Sequence, residues 1–199
     1  MEYVKKAILL SGGIDSICLT YGIKPDIAYT VDYGQTVSKR EIYVSKYICN
    51  KLNIKHKTIK VDCKNLGSGT LANSKTSNIS PSEEWWPFRN QLLVTLAAMQ
   101  SIKDSVNEIY LASVKSDNFH KDGTIGFYKS INNLVSYQEG NIKIICPTLD
   151  FYSHQLVIKY KVPIELITLA HSCHISNLAC GKCSGCKKQL RVRHELNIE

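Results

Sequence analysis

Two groups of residues in this chain have the types and spacing for chemistry. The first is Ser11-Gly12-Gly13-Ile14-Asp15-Ser16, directly after an apolar run that ends at Leu10. Paired glycines tolerate positive φ and let the backbone approach a ligand closely, so successive N–H groups can turn inward as an anion nest. A helix starting just after the turn adds the positive end of its dipole, and the Ser11 and Ser16 hydroxyls add donors. Together these features describe a phosphate cradle. Asp15 would repel bare phosphate oxygens, so its presence makes most sense if Mg²⁺ bridges carboxylate and phosphates. The pattern lacks the lysine of G-x-x-x-x-G-K-[ST] and the spacing of G-x-G-x-x-G, which separates it from most kinases, GTPases and dehydrogenases. A lone Ser-Gly-Gly would equally make a ligand-free turn. Two serines, an aspartate and a flanking strand and helix favour the binding reading.

The second group is Cys173, Cys180, Cys183 and Cys186, spaced C-x6-C-x2-C-x2-C with Gly181 and Gly185 between them. Such a run can wrap one tetrahedral ion, with Zn²⁺ preferred, although an iron–sulfur cluster also uses four thiolates. Four thiolates leave no open position for water, so the site reads as structural. His171 and His174 read as loop or supporting residues, because the thiolates already suffice. The other cysteines lie apart among apolar neighbours, the pattern of buried thiols in a reducing compartment and not of a disulfide framework.

Both groups need a scaffold. "KAILLSGG" is the short continuous apolar run of a buried parallel strand feeding a turn. "DIAYTVDYG", with Ile27, Tyr29 and Val31 on one side, predicts a second strand, and "DSICLTYGI" between them a crossover helix. Strand, helix and strand in that order argue for a parallel α/β sheet. "QTVSKREIYVSKYICNKLNI" sets Val44, Ile48 and Leu52 at helical spacing before a third strand, "HKTIKVD". "KNLGSGTLANSKTSNISPSEE" has no apolar period and predicts a long loop, a lid or insertion. "FRNQLLVTLAAMQSI" predicts a helix with Leu92, Leu93, Leu96 and Ala97 facing inward. "NEIYLASV" and "NIKIICPTLD" predict two more strands, and "SHQLVIKY" and "PIELITLAH" short helices, the second started by Pro163. The cysteines and a basic tail, "KKQLRVRHEL", finish the chain.

With 199 residues, 44% of them hydrophobic, the chain can bury one sizeable core. No apolar run approaches the roughly 20 residues of a bilayer span. The N-terminal apolar stretch runs into glycines and an aspartate instead of a cleavage site, so the expectation is a cytoplasmic protein. Residues 1–170 are expected to form the α/β domain and residues 171–199 a metal-binding segment packed on it. A formal charge of +8 suggests an anionic partner, a nucleotide or a nucleic acid, although solubility alone can account for it.

"SGGIDS" after a first strand resembles the signature of the PP-loop, or N-type, ATP pyrophosphatases, which cleave ATP between its α and β phosphates. The resemblance implies a doubly wound, mainly parallel sheet of the adenine nucleotide alpha hydrolase-like (HUP) type, with the four-cysteine segment as a small zinc subdomain. It also implies that Leu10, Ser11, Gly12, Gly13, Ile14, Asp15 and Ser16 hold ATP. Two further blocks narrow the group. "VDYGQ", with Asp32 and Tyr33, and "WWPFRNQLL", with Arg89 and Asn90, resemble blocks of the 7-cyano-7-deazaguanine synthases of the queuosine pathway, which carry a similar four-cysteine site. The family pattern implies nucleotide-pocket roles for Arg89 and Asn90, and catalytic roles centred on Asp15, Ser16 and Arg89. In that family 7-carboxy-7-deazaguanine is adenylated by ATP, ammonia converts the acyl adenylate to an amide, and a second ATP drives dehydration to the nitrile. The family tends to form homodimers, and Trp85 and Trp86 in an exposed-looking loop are candidates for an interface or a lid.

The acceptor side departs from the pattern. In "SVKSDNFHKDGTIGFYKSI", Asp117, Asp122 and Phe127 match the block thought to hold the deazapurine, with Asp122 able to read a guanine-like edge. The family arginine falls near Thr124 or Ile125 and is missing, which leaves Lys115 as the candidate replacement. A family lysine appears as His154. Three readings follow: the synthase; an activating enzyme that delivers the acyl group to another amine, such as a protein N-terminus or a nucleic acid, in an antiphage setting; and an idle zinc-bearing binder of nucleic acid or protein that uses the basic tail.

Overall fold

The computed structural model describes residues 3–198. Its centre is a sheet of five strands, all parallel among the described residues. β1 (Lys6–Leu9), β2 (Ile27–Asp32), β3 (Lys55–Lys60), β4 (Glu108–Tyr110) and β5 (Lys143–Ile145) lie in the order β3-β2-β1-β4-β5. Parallel neighbours need crossover connections, and helices supply them: α1 (Ile14–Ile23) and α2 (Ser38–Leu52) on one side, α4 (Arg89–Asp104) and α5 (Ile125–Tyr137) on the other. The short α3 (Gly69–Ala72) lies between β3 and α4, and α6 (Ser153–Tyr160), α7 (Ile164–Thr168) and α8 (Ser184–Glu195) complete the chain.

The period-2 alternation of the strands splits the core into two layers. Ile8, Leu10 and Ala28 pack against Ile17, Val44, Ile48, Leu156 and Ile167 from α1, α2, α6 and α7. Ala7, Ile27, Tyr29 and Ile109 pack against Val94, Ala97, Ile131 and Val135 from α4 and α5. With both faces covered, the buried positions of the central strands are mostly apolar, as the sequence pattern of a buried parallel sheet requires. Val192 of α8 joins the first layer, so the segment after residue 170 shares the core of the α/β unit.

Leu156 is fully buried where α6 crosses α1. Leu156→Ala is expected to cost about 2–5 kcal/mol, the range for a buried leucine whose cavity cannot collapse. A urea titration that shows less than about 1 kcal/mol would contradict this packing.

Two elements differ from the sequence expectation. Residues 125–137 form α5, which the period reading did not assign, although Tyr128, Ile131 and Val135 are its buried stripe. Thr124 caps it by accepting the Phe127 N–H at 3.3 Å. The expected long loop holds α3, whose Leu71 and Ala72 are buried beside Trp86. Four residues are too few for a helical period to register in the sequence.

Candidate functional site

A cleft of about 620 Å³ opens at the carboxyl ends of β1 and β4. Connections run away from those adjacent strands toward opposite faces of the sheet, which makes their divergence the usual ligand crevice of open α/β sheets. Leu9, Leu10 and the Ser11–Ser16 loop line one wall, and Leu111, Ser113, Asp117 and Asp122 another.

The loop is a strand-to-helix turn. Gly12 has φ +76°, and a Cβ there would sit 3.1 Å from Val44 Cβ, so the position needs glycine on two counts. The Ile17 N–H donates the first helical bond to the Gly13 carbonyl, leaving the N–H groups at the very start of α1 as outward donors. The Ser16 hydroxyl donates to the Gly13 carbonyl at 2.9 Å and lies 3.3 Å from Ser11 Oγ. Gly12 itself lies behind the lining, its carbonyl accepting the His171 N–H at 2.9 Å.

Asp15 is the chemical centre of this wall. Its Oδ2 meets Lys188 Nζ at 2.8 Å, while its Oδ1 is buried with no hydrogen-bond partner. A buried carboxylate oxygen without a donor is costly, and a hard cation would satisfy it. Lys188 also bonds Asp117 Oδ1 at 3.0 Å. Burial alone would lower the Lys188 pKa, but the Asp15 and Asp117 carboxylates outweigh it and hold the ammonium above its usual value. In the sequence this lysine belongs to the basic tail, which reads equally as a binding stretch and as a solvated helix. The signal was absent from local pattern, because the contact spans the chain from residue 15 to residue 188.

The opposite wall is built on the start of α4. Arg89 lines the cleft; burial opposes its charge, but Tyr33, Asp122 and Glu41 favour it and hold it fully ionised. Asn90 Nδ2 donates to the Asp122 carbonyl at 2.9 Å, and the Asn90 N–H reaches Asp122 Oδ2 at 3.4 Å. Asp122 therefore supports the first turn of α4 while facing the cleft. Burial raises the Tyr33 hydroxyl pKa, and its ring meets Trp86 edge-on at 4.8 Å. Gln35, in the "DYGQ" block, closes the turn after β2 by accepting the Tyr33 N–H and donating to the Val31 carbonyl and Glu41.

Glu41 is a lining residue that the motif reading missed. Burial pushes its carboxyl up to about 7, against the Gln35 hydrogen bond and the Arg89 charge that favour ionisation. A raised carboxyl pKa contributes stability that is full below its ordinary 4.5 and lost as pH rises through about 7. Glu41→Gln is expected to stabilise the fold by about 1 kcal/mol at pH 8 and negligibly at pH 5, after allowance for partial solvent screening. Parallel urea titrations at the two pH values check the sign.

Several expected positions lie elsewhere. Lys115 is exposed outside the cleft, with its ammonium 5.4 Å from the Tyr152 ring centroid, because the turn after β4 carries it to the outer surface. Phe127 does not line the cleft but packs on the second core layer beside Tyr128. Asp32 turns back at the end of β2, accepting the Gly34 N–H at 3.3 Å. His154 pairs with Glu195 at 2.7 Å and joins α6 to α8 away from the cleft. Trp86 is buried and not in an exposed loop, while Trp85 lines the cleft beside it.

The four cysteines converge beside this cleft. Their sulfurs all lie within 4.8 Å of one another, with Cys173–Cys183 and Cys180–Cys186 at 3.9 Å. Tetrahedral Zn²⁺ with Zn–S near 2.3 Å places sulfurs about 3.8 Å apart, so the donor set fits a zinc ion. Backbone N–H groups of Lys182 and Cys183 donate to Cys180 Sγ, and those of His174 and Cys186 to Cys183 Sγ, as thiolates require. Neither histidine belongs to the set: His171 bonds the Ser176 carbonyl and His174 the Ser184 hydroxyl.

Fold and site together define an α/β protein with a glycine turn at its topological switch point and a four-cysteine cluster at the rim. A family model described as "Queuosine biosynthesis protein QueC" matches residues 5–196, and the chain belongs to that family. Among similar proteins, the 7-cyano-7-deazaguanine synthase of Methanocaldococcus jannaschii is 28% identical over 95% of this chain and 94% of its own. Those of Aliarcobacter butzleri and Campylobacter fetus are each 30% identical, over 94% and 100% of this chain and 90% and 96% of theirs. Among the described residues no helix is long and apolar enough to cross a membrane.

Proposed function

We propose that this chain is an ATP-dependent, AMP-forming ligase that activates the carboxylate of 7-carboxy-7-deazaguanine for conversion to the amide or the nitrile. The observation that carries the reading is Asp15, placed in a glycine turn at the switch point with one carboxylate oxygen buried and unsatisfied. In the first step a carboxylate oxygen of the acid bonds to the α-phosphorus, and the bond from that phosphorus to the bridging oxygen breaks, releasing pyrophosphate. The outward N–H groups at the start of α1 and the Ser11 hydroxyl are aimed where that charge leaves. Asp15 would hold Mg²⁺, which supplies charge neutralisation on the phosphates. Ammonia then attacks the acyl carbon, and AMP departs with the former carboxylate oxygen. Arg89 would take the anionic part of either substrate, with Asp122 beside it, bonded to Asn90, for the edge of a guanine-like base.

With the acid held between the two walls of the cleft, most of the rate enhancement would fall to positioning and electrostatics. The test is pyrophosphate release from ATP and Mg²⁺ with and without 7-carboxy-7-deazaguanine, with ammonia as the amine and mass analysis of the products. Release that depends on the acid, with amide or nitrile formed, is expected. An adenylate that accumulates with ammonia present would assign the acyl group to another amine. No release under any of these conditions would overturn the activation.

A further inference from the structure

Lys188 joins three parts of the molecule that the sequence keeps far apart. It belongs to α8, which is capped by Cys183 and carries Cys186 in its first turn, so two of the four sulfurs sit at the start of the element that holds the lysine. That first turn lies directly on the chain beside Cys173: a Cβ on Gly185 would fall 1.7 Å from the Ser172 carbonyl oxygen. Gln189, next to the lysine, accepts the Ser172 N–H at 3.3 Å and donates to the Ala170 carbonyl at 2.8 Å. The same stretch holds the phosphate loop through the His171 N–H and the Gly12 carbonyl. From this base the Lys188 ammonium reaches Asp15 Oδ2 in the loop after β1 and Asp117 Oδ1 in the turn after β4. Asp117 is fixed in its turn by the Val114 N–H, which its Oδ2 accepts at 3.0 Å.

We propose that Lys188 is a positioning residue that holds Asp15 and Asp117 in a fixed relation across the mouth of the cleft, and that the four-cysteine centre is what places it there. One ammonium with three donors can serve two carboxylates and still leave a donor for a ligand. Without it two acidic side chains face each other across the crevice, and the loop and the turn lose their shared partner. The metal centre, read so far as a structural cross-link, thereby governs the order of the anion-binding loop. This goes beyond the activity proposed above and does not depend on which acid is the substrate.

The test is amide hydrogen exchange in the full chain, resolved at Ile17 and His171, which donate to the loop carbonyls, and at Lys115 and Asp117 in the turn. Lys188→Met removes the charge and keeps the stem. With zinc still bound, exchange at these four amides is expected to quicken about tenfold while α5 is unchanged, and Lys188→Arg to restore most of the protection. Chelator-treated wild type is expected to lose the same protection. Wild-type exchange at the four amides in zinc-loaded Lys188→Met would overturn the proposal, as would acceleration spread evenly over the chain. If Lys188→Met does not fold, Asp117→Asn breaks the bridge from its more exposed side: faster exchange at Ile17 and His171 supports the proposal and unchanged exchange overturns it. None of these readings uses a substrate, so a chain that shows the coupling but releases no pyrophosphate refutes the activity alone.

Discussion

Asp15→Ala is expected to lower acid-dependent pyrophosphate release about 10³-fold, close to 4 kcal/mol of transition-state stabilisation. One carboxylate oxygen of Asp15 is buried without a partner, and the other is held by Lys188. The side chain is therefore fixed in place and still has a buried, unused acceptor, one that a cation carried by a phosphate would satisfy. Removing it takes away that acceptor and leaves Lys188 with Asp117 alone. Because Asp15 pays a burial penalty that the alanine does not, the variant is expected to stay folded, with a melting temperature within a few degrees of wild type. The comparison to make is kcat for pyrophosphate release beside a melting curve; near-normal turnover in a folded variant would remove Asp15 from the reaction.

The second large effect is on the metal centre. Cys183→Ala is expected to abolish stoichiometric zinc binding and lower the melting temperature by about 10 °C or more, because structural zinc contributes folding free energy outright. Cys183 does three things at once: it caps α8, accepts N–H bonds from His174 and Cys186, and lies 3.9 Å from Cys173. A loss of about 4 kcal/mol, well under the free energy of zinc binding to small finger peptides, corresponds to roughly 8–16 °C for a chain of this size. Metal analysis of the purified variant with differential scanning calorimetry decides it. A variant that melts like wild type while lacking metal would show that α8 is held by Val192 and its apolar neighbours alone.

The parts of the fold carried by contiguous pattern were legible in the sequence. "KAIL" and "IAYTVD" are mostly apolar and buried because helices cover both faces, and the loop between β1 and α1 announces itself by glycines that no other residue type replaces at Gly12. The cysteine centre was legible for the same reason: three of its four ligands sit on one turn and the helix that follows it. What escaped was long-range. Lys188 reads as part of a basic tail until α8 is laid beside the loop, and no local pattern singles out Glu41, which Gln35 and Arg89 close around only in the fold. Lys115 was chosen for its position after β4, but the turn there points Asp117 inward and Lys115 outward. A lysine does line the cleft beside Asp117, but it is Lys188, from the opposite end of the chain.

The central claim is attack of a carboxylate on the α-phosphorus, and oxygen tracing tests it most directly. With 7-carboxy-7-deazaguanine carrying ¹⁸O in its carboxylate, ATP, Mg²⁺ and ammonia, the account predicts AMP with one ¹⁸O on its phosphate and pyrophosphate with none. AMP free of label, with pyrophosphate still released, would mean that the acid is not the nucleophile and would contradict the account.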